Sequence, residues 1–441
     1  MKKEEAKIVV LSTSDKVGGA AFACYQYVRM LRDHGYEAFE VVRQKTDSDP
    51  FVLTVPADKL KKKSIFQRVV NKIAPPKKST DLSFDADKQY IFFGNNTEHS
   101  GVCTESAMIN TIPFTPTLVL VGHVHNFITM KTLVNLKKIW NCQVFIMCQD
   151  ISPYTGGCHV HRDCMGFMSD CSDCPAFTDS VRKREVADNF AEKKYSIIEG
   201  NIGVAYSTKW LYKDICSSSI FKNQPKFAYS MHTDVKLYSP AHRGIAKNVF
   251  DIEPSKKTIM CGSYDLTEER KGLVYFMESL KILWNQLSPE NRENIVVIMV
   301  GQCTQNVKEL IKDLPPFEYK IVEFIKDFRY LSLLYQATDI YVCPTLEDAG
   351  PMMVADAMSC GTPVVGFKTG LMIDTDIFLQ GETGYVVELR DSKGLAEGIL
   401  LFLEMTEEER QRSTLLCREV VVNHLSEEQD MILMDNYIAQ L

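Results

Sequence analysis

The sequence lacks any apolar run that approaches the about 20 residues a membrane-spanning helix needs. Its first residues, Met1–Glu5, also lack the apolar core and the small-residue cleavage site of a signal peptide. Positive charge is not in excess, because the 441 residues carry a formal net charge of −7, which does not favour nucleic acid as a partner. We therefore expect a cytoplasmic protein whose 14 cysteines are thiols or metal ligands rather than disulfides.

Short-period repeats, low-complexity segments and the G-x-G-x-x-G fingerprint of nicotinamide and flavin sites are also missing. The fingerprint's absence disfavours a dinucleotide-dependent oxidoreductase. Hydrophobic residues make up 45% of the chain and charged residues 24%, which is typical of a globular protein. The length predicts two domains of about 200 residues each.

Short β-rich runs alternate with helical patterns along the chain. Ala6–Leu11 reads as a buried parallel strand, followed by a polar loop that ends in Gly18 and Gly19, a helical pattern and a second strand, Glu37–Val42. After about residue 248 the alternation restarts, with strands predicted at Thr258–Cys261, Ile295–Val300, Tyr319–Val322, Ile340–Val342 and Pro363–Val365. This pattern predicts an α/β protein with two doubly wound domains facing each other across a cleft.

We place the first domain at residues 1–235, the second at 250–420, and a C-terminal helix at 421–441 that packs back on the first domain. Ligands of doubly wound sheets bind outside the carboxyl ends of the strands.

The predicted strand Ile340–Val342 leads into a loop and a helix that carry two acidic residues. Pro351 suits the first helical position, and the helix is expected to end at about Ser359. Its free N–H groups and positive dipole end favour a bound phosphate. Asp348 precedes the helix and Asp356 lies about two turns later, on a similar side. The alternative is that both are ordinary helix-terminal and surface charges.

The string EDAGPMMVADAMSCGTPVVGF resembles the donor site of retaining GT-B glycosyltransferases of family four. Asp348 and Asp356 match its two acids separated by seven residues, and Glu347 is a second candidate for the first acid. The resemblance implies a GT-B fold with Rossmann-like domains. It assigns Asp348 and Glu347 to the sugar, Asp356 to the ribose, and Gly350 with Pro351 to the phosphate end of the helix.

Two further stretches resemble the phosphate-contacting parts of this family. Lys271 matches a Lys-Gly pair whose cation contacts the donor diphosphate, and Arg270 stands in for an arginine that appears here as Ser263. Gly18 and Gly19 match the Gly-Gly loop after the first strand. The alternatives are a surface Arg-Lys pair and glycines that only permit a turn.

The acceptor side resembles a branch that makes bacterial capsules and surface polysaccharides. His123, His125 and Asn126 match its His-x-His-Asn string. Residues 149–159 match its His-Asp-x-x-x-x-Thr-Gly-Gly-Cys-His string. Gln149 stands in place of the first His, and Asp150 matches the Asp. Gln149 can hydrogen-bond a sugar but cannot shuttle a proton at neutral pH.

Four cysteines lie close together in the chain, at Cys158, Cys164, Cys171 and Cys174. The last pair has the C-x-x-C spacing of half a tetrahedral zinc site, and His159 or His161 are candidate replacements for one ligand. We favour structural zinc; two disulfides or unpaired thiols are the alternatives.

Residues 59–78 carry eight Lys or Arg residues and no acid, with apolar residues at helical spacing. This segment is either a peripheral contact to an anionic membrane surface or an ordinary surface helix or insertion.

These observations predict a glycosyltransferase that moves a sugar from a UDP- or GDP-linked donor to a saccharide or lipid-linked saccharide, with retention. No cofactor is expected to be required for catalysis. The alternatives are a catalytically silent sugar-nucleotide-binding protein of the same fold and a sugar phosphorylase.

Overall fold

The structure is a computed structural model, and it describes residues 1–56, 82–84, 86–87, 89–92, 101–302 and 305–441. The basic segment 59–78 lies outside these residues, so its membrane contact stays a prediction. The chain divides into two compact units. The first contains Met1–Ser207, Leu211–Tyr229 and Met431–Leu441, and the second contains Thr208–Trp210 and Ser230–Asp430.

The described residues of the first unit form a seven-stranded parallel sheet. Its strands are β1 (Lys7–Ser14), β2 (Glu37–Gln44), β3 (Val52–Thr54), β4 (Leu118–Val121), β5 (Gln143–Met147), β6 (Gly203–Tyr206) and β7 (Lys226–Ala228). Their order in the sheet is β3-β2-β1-β4-β5-β6-β7, with every pairing parallel.

The helices that connect these strands are α1 (Gly19–Asp33), α2 (Glu105–Thr111), α3 (Met130–Trp140), α4 (Ser180–Glu199) and α5 (Lys209–Ser217). Central strand β1 is buried on both faces, as its apolar run predicts, because helices cover both sides of a parallel sheet. The side chains of Thr129 and Asp179 accept backbone N–H groups at the starts of α3 and α4, which fixes where these helices begin.

The second unit repeats the plan with six parallel strands. They are β8 (Lys257–Asp265), β9 (Ile295–Gln302), β10 (Glu318–Glu323), β11 (Ile340–Cys343), β12 (Val364–Phe367) and β13 (Gly384–Val387), in the order β10-β9-β8-β11-β12-β13. Its helices are α6 (Arg243–Val249), α7 (Leu273–Gln286), α8 (Pro289–Glu293), α9 (Gln305–Ile311), α10 (Phe328–Gln336), α11 (Met352–Ser359), α12 (Ser392–Glu404) and α13 (Glu407–His424). Apolar clusters cover both faces of this sheet. The predicted doubly wound α/β class is confirmed for each unit.

The last helix, α14 (Glu427–Gln440), returns to the first unit. Met431, Met434 and Ile438 are buried in that unit's core. The ring of Tyr437 lies 4.8 Å from that of Phe227, between centroids. Apolar packing therefore holds the end of the chain on the first unit.

No helix in the described part of the chain combines the length and the apolar character needed to cross a membrane.

Glu40 lies on β2 and is fully buried inside the first unit. Neither of its carboxylate oxygens has a hydrogen-bond partner among the described residues. Burial, assisted by the negative charge of Asp15, raises the pKa of Glu40 to about 9. The folded chain therefore keeps this carboxyl protonated at neutral pH, whereas the unfolded chain ionises it.

We predict that Glu40→Gln stabilises the protein increasingly as the pH rises. The raised pKa means that the wild-type contribution is fully present below the ordinary glutamate pKa and is lost as the pH rises toward about 9. Glutamine has the same shape and does not ionise, so the gain is expected to be small near pH 4.5 and about 1–3 kcal/mol near pH 7. Urea unfolding at several pH values measures it. Glu37→Gln, at the exposed start of the same strand, is the control. A gain that does not vary with pH contradicts the assignment.

Candidate active site

The loop after β11 carries a carboxylate that two cations share. Lys271 Nζ lies 2.6 Å from Asp348 Oδ2, and Arg270 Nη1 lies 3.2 Å from the same oxygen. The other oxygen of Asp348 accepts the backbone N–H of Gly350 at 3.1 Å. Arg270 Nη1 also donates to the carbonyl of Glu347 at 3.2 Å. The structure thus brings together the predicted sugar-binding acid and both predicted diphosphate-binding cations.

The charges of this group stabilise each other. Burial alone would raise the pKa of Asp348, but Lys271 and Arg270 lower it to about 2, so the carboxylate is ionised at neutral pH. Burial alone would lower the pKa of Arg270, but Asp348 and Glu268 raise it above its usual value. Glu268, which sequence reasoning did not single out, accepts Arg270 Nε at 2.5 Å and orients the guanidinium.

Gly272 allows this ion pair to form. Its φ of +68° lies in the left-handed region, and a Cβ at this position would lie 1.9 Å from the carbonyl oxygen of Pro344. The backbone N–H of Leu346 donates to the carbonyl of Arg270 at 2.7 Å, which joins the same two loops. A glycine is therefore needed where the loop before α7 meets the loop after β11.

Helix α11 begins at Met352, with Pro351 as the capping residue, one position later than predicted, and it ends at Ser359 as predicted. No side chain caps its first N–H groups. These groups and the helix dipole favour an anion at this end. Gly350 lies against Met231, because a Cβ at this position would lie 2.0 Å from the Met231 sulfur.

Asp356 lies on α11 with only 8% of its surface exposed. Thr233 Oγ1 donates to its Oδ1. Burial raises the pKa of Asp356 to about 7; the Thr233 hydrogen bond opposes this shift and the charge of Asp234 adds to it. Burial raises the pKa of Tyr341, and the charges of Asp356 and Asp348 are among the smaller contributions to the same shift. Thr233 is distant in sequence, and no pattern marked it.

In the first unit, the Gly-Gly loop and Gln149 meet at the start of α1. Gly18 has a φ of +91°, which favours glycine, and Gly19 is the first residue of α1. Gln149 Nε2 donates to the Ala20 carbonyl at 2.7 Å and lies 3.4 Å from Cys24 Sγ. The Oε1 atom of Gln149 is buried with no hydrogen-bond partner among the described residues. The amide group thus ties the end of β5 to the first turn of α1.

The His-x-His-Asn stretch follows β4 and is held by its backbone. Thr13 Oγ1 donates to the carbonyls of His123 and His125, each at 3.0 Å. Asn126 has a φ of +56°, a conformation that asparagine tolerates better than most residues, and its carbonyl accepts Arg43 Nη1 at 2.7 Å. This left-handed backbone conformation is the reason an asparagine suits position 126. The imidazole rings of His123 and His125 lie edge to face, with their centroids 4.0 Å apart.

Asp150 lies between two of the histidines. His159 Nδ1 is 2.7 Å and His123 Nδ1 is 3.7 Å from Asp150 Oδ2, while the Ser152 N–H donates to Oδ1 at 2.7 Å. Burial alone would raise the pKa of Asp150, but His159 and His123 hold it well below its usual value. Burial lowers the pKa of His123, and burial together with the neighbouring His123 lowers that of His125 to about 4.

Helix α4 braces the loop that follows β5. Lys193 Nζ donates to the carbonyls of Ser152 and Thr155 at 2.7 and 3.0 Å, and Asn189 Nδ2 donates to that of Gly156 at 2.9 Å. The sequence pattern did not mark Lys193, because a lysine on a helix usually faces solvent. Side chains of this region line a cavity whose polar wall includes His123, His125, Gln149, Asp150 and Lys193.

The four clustered cysteines are all free thiols, with Cys171 and Cys174 buried and Cys158 and Cys164 partly exposed. Burial is the main cause that raises the pKa of Cys158 and Cys171, the latter to about 12, and the neighbouring cysteines add to the shift. The cysteines thus interact electrostatically around one loop. His161 Nε2 lies 3.3 Å from Asp214 Oδ2, so that histidine has a carboxylate neighbour outside the cluster.

Residues 255–405 match the family described as Glycosyl transferases group 1, a stretch that includes Arg270, Lys271, Asp348 and Asp356. An uncharacterized glycosyltransferase from Haemophilus influenzae is 24% identical over 167 residues, which are 37% of this chain and 45% of that protein. The chain thus aligns with slightly less than half the length of that relative. The family match and this relative support a transferase.

Solved structures resemble the whole chain. Sucrose-phosphate synthase from Thermosynechococcus elongatus has a TM-score of 0.65 at 16% identity, covering 99% of both chains. HepE of Anabaena, solved in complex with UDP, has a TM-score of 0.62 at 15% identity, covering 99% of this chain and 100% of that one. At such identities the likeness shows the fold alone. It confirms the predicted GT-B fold with its two Rossmann-like domains.

We predict that Gly272→Ala destabilises the protein more than a glycine substitution with the same backbone strain elsewhere. Both the positive φ and the close Pro344 carbonyl oppose a Cβ, so a loss of about 2–4 kcal/mol is expected. Gly381→Ala is the matched control, because Gly381 has a φ of +80° but its nearest neighbour, a Leu401 methyl, lies 4.0 Å from the added Cβ. Urea unfolding measures both variants, and equal losses would contradict the role of the Pro344 contact.

Proposed function

We propose that this chain transfers a sugar from a nucleoside diphosphate sugar to a saccharide or lipid-linked saccharide acceptor, with retention of configuration. One observation carries the proposal. Asp348 is held by Lys271 and Arg270 beside the uncapped start of α11, within the stretch that matches the group 1 glycosyltransferases.

The two cations suit the donor diphosphate. Lys271 and Arg270 share one carboxylate, so an incoming diphosphate meets two positive side chains already oriented by Asp348 and Glu268. Negative charge grows on the diphosphate as its bond to the sugar breaks. Fixed cations next to that charge lower the barrier without reorganising solvent, and the N–H groups of α11 add to the effect.

The two acids suit the hydroxyl groups of the donor. Asp348 is ionised at neutral pH and each carboxylate oxygen accepts hydrogen bonds, which fits sugar hydroxyls. Glu347 is the second candidate for this role. Asp356 is assigned to the ribose, and its pKa of about 7 means that its acceptor capacity grows as the pH rises through neutrality.

UDP-sugars are the first candidates for the donor. HepE of Anabaena, which shares the fold, has been solved with UDP and with UDP-glucose. That likeness concerns the fold and does not identify the nucleotide base, so the binding screen described below also includes GDP-linked sugars.

The acceptor is assigned to the first unit, where Gln149, Asp150, His123 and His125 line one cavity. In a retaining transfer, an oxygen of the leaving diphosphate takes the proton of the acceptor hydroxyl, so a protein base is not demanded. Gln149 is compatible with this mechanism because it only needs to hydrogen-bond. The Thr-Gly-Gly-Cys-His string supports a surface-polysaccharide acceptor, and the basic segment 59–78 supports peripheral binding to an anionic membrane.

A catalytically silent sugar-nucleotide-binding protein is the second candidate. It is favoured by Gln149, which stands where the resembling branch has a histidine and whose amide nitrogen is engaged by the Ala20 carbonyl. Both candidates predict donor binding, whereas only the first predicts transfer or donor hydrolysis.

We predict that Lys271→Met weakens binding of the donor by about 10–100-fold, because it removes a charge-assisted contact to the diphosphate. A thermal-shift screen with UDP, GDP, ADP and their sugars identifies the ligand, and calorimetry on the wild type and variant gives the ratio. Lys281→Met, at an exposed position on α7, is the control. The donor site is contradicted if no nucleotide stabilises the protein, or if Lys271→Met and Lys281→Met bind the donor with equal affinity.

We also propose that Cys158, Cys164, Cys171 and Cys174 hold a structural zinc ion. Among the described residues no three of their sulfurs lie within 4.8 Å of one another, so the loop would have to close to reach the about 3.8 Å spacing of a tetrahedral thiolate site. The double variant Cys171→Ser, Cys174→Ser is expected to contain one zinc fewer per chain than Cys216→Ser, an exposed cysteine outside the cluster. Emission spectrometry on protein purified without chelator measures this, and equal zinc contents contradict it.

A further inference from the structure

A second group of side chains of the types that bind metals lies in the first unit, and it adjoins the cysteine cluster in sequence because His159 directly follows Cys158. The ligand atoms of His123, Asp150 and His159 lie within 4.8 Å of one another, and this is the set of three with that property among the described residues. The group stands where β4 and β5 end, on loops of the sheet's carboxyl edge. It combines two imidazoles with one carboxylate, and its members come from three separate positions in the sequence.

The distances suit a small cation. An ion with ligands at about 2.1 Å places neighbouring ligand atoms about 3.4 Å apart in a tetrahedron. His123 Nδ1 lies 3.7 Å from Asp150 Oδ2, which is too long for a hydrogen bond but close to that spacing. His159 Nδ1 lies 2.7 Å from the same oxygen, so an ion requires this pair to open by a fraction of an ångström.

Backbone contacts hold all three residues in place, as supporting contacts do around metal ligands. The Ser152 N–H fixes Asp150 through its other oxygen at 2.7 Å. The backbone N–H of His159 donates to the Ile91 carbonyl at 2.7 Å, and the His123 carbonyl accepts from Thr13. The fold therefore fixes the backbone of His123 and His159, and for Asp150 it also holds one side-chain oxygen.

The adjoining cavity contains polar atoms that need a partner. Gln149 Oε1 and His125 Nδ1 are both buried without a hydrogen-bond partner among the described residues, and both side chains line the cavity together with His123 and Asp150. A buried polar atom without a partner costs free energy, so the cavity favours a polar occupant such as a water or a hydroxyl group. An ion bound by three side chains keeps a coordination position for such an oxygen.

We propose that His123, Asp150 and His159 bind one divalent transition-metal ion, with an open coordination position for a water or hydroxyl oxygen in the adjoining cavity. Imidazole ligands favour Zn²⁺, Co²⁺, Ni²⁺ or Fe²⁺ over Mg²⁺ and Ca²⁺, which prefer all-oxygen sites. The rival is a plain Asp150–His159 hydrogen bond that holds the loop and binds no ion.

Titration of the full-length, chelator-stripped protein with Co²⁺ separates the two. Thiolate-bound cobalt gives intense near-ultraviolet charge-transfer bands, whereas cobalt on nitrogen and oxygen ligands gives only weak visible bands. The double variant Cys171→Ser, Cys174→Ser removes thiolates of the cysteine cluster. It is expected to retain one Co²⁺ per chain with the weak visible bands alone.

In that background, Asp150→Asn and His159→Gln are expected to weaken Co²⁺ binding by at least about 10-fold. His161→Gln is the matched control, because this histidine lies two residues from His159 and faces Asp214 instead of Asp150. Circular dichroism checks folding. If His159→Gln unfolds, Asp150→Asn and His123→Gln, whose side chains are 23% and 17% exposed, test the same site. No Co²⁺ binding in the cysteine double variant, or full binding after loss of a folded ligand, overturns the proposal whatever the outcome for nucleotide sugars.

Discussion

Parallel strand pairing is the constraint on which the sites of both units depend. When all strands of a sheet run the same way, their carboxyl ends meet at one edge, and residues distant in sequence become neighbours there. In the second unit this brings the loops after β8 and β11 together, so that Lys271 and Arg270 reach Asp348. In the first unit it brings the loops after β4 and β5 together, so that His123 reaches Asp150.

Buried carboxylates show how strongly surroundings decide the chemistry of one functional group. Asp348 and Asp150 lie beside cations or imidazoles with side chains 17% and 23% exposed, and their pKa values fall. Asp356 has one hydroxyl donor and a nearby like charge, and its pKa rises to about 7. Glu40 has no partner among the described residues and its pKa rises to about 9. Charge compensation and depth of burial thus act together, because Glu40 and Asp356, whose pKa values rise, are also the more deeply buried groups.

The sequence predicted what rests on local pattern. Strands β9 and β11, the end of α11 and the doubly wound class follow from apolar runs, turn residues and periodicity. Lys271 and Asp348 were each assigned to a part of the donor, and their contact with each other was not predicted. The roles of Thr233, Glu268 and Lys193 were missed, because each depends on a tertiary contact and none has a distinctive neighbour in sequence. His159 was marked by the Thr-Gly-Gly-Cys-His string and as an alternative ligand of the cysteine cluster, but its contact with Asp150 depends on the fold of the loop and was not predicted.

The return of α14 to the first unit has a consequence for biosynthesis. Met431, Met434 and Ile438 complete a core whose other members, such as Ile8 and Leu120, leave the ribosome hundreds of residues earlier. The unit whose synthesis starts first is therefore the one that finishes folding last. Until then its growing chain exposes an apolar surface, which is where chaperones bind nascent proteins.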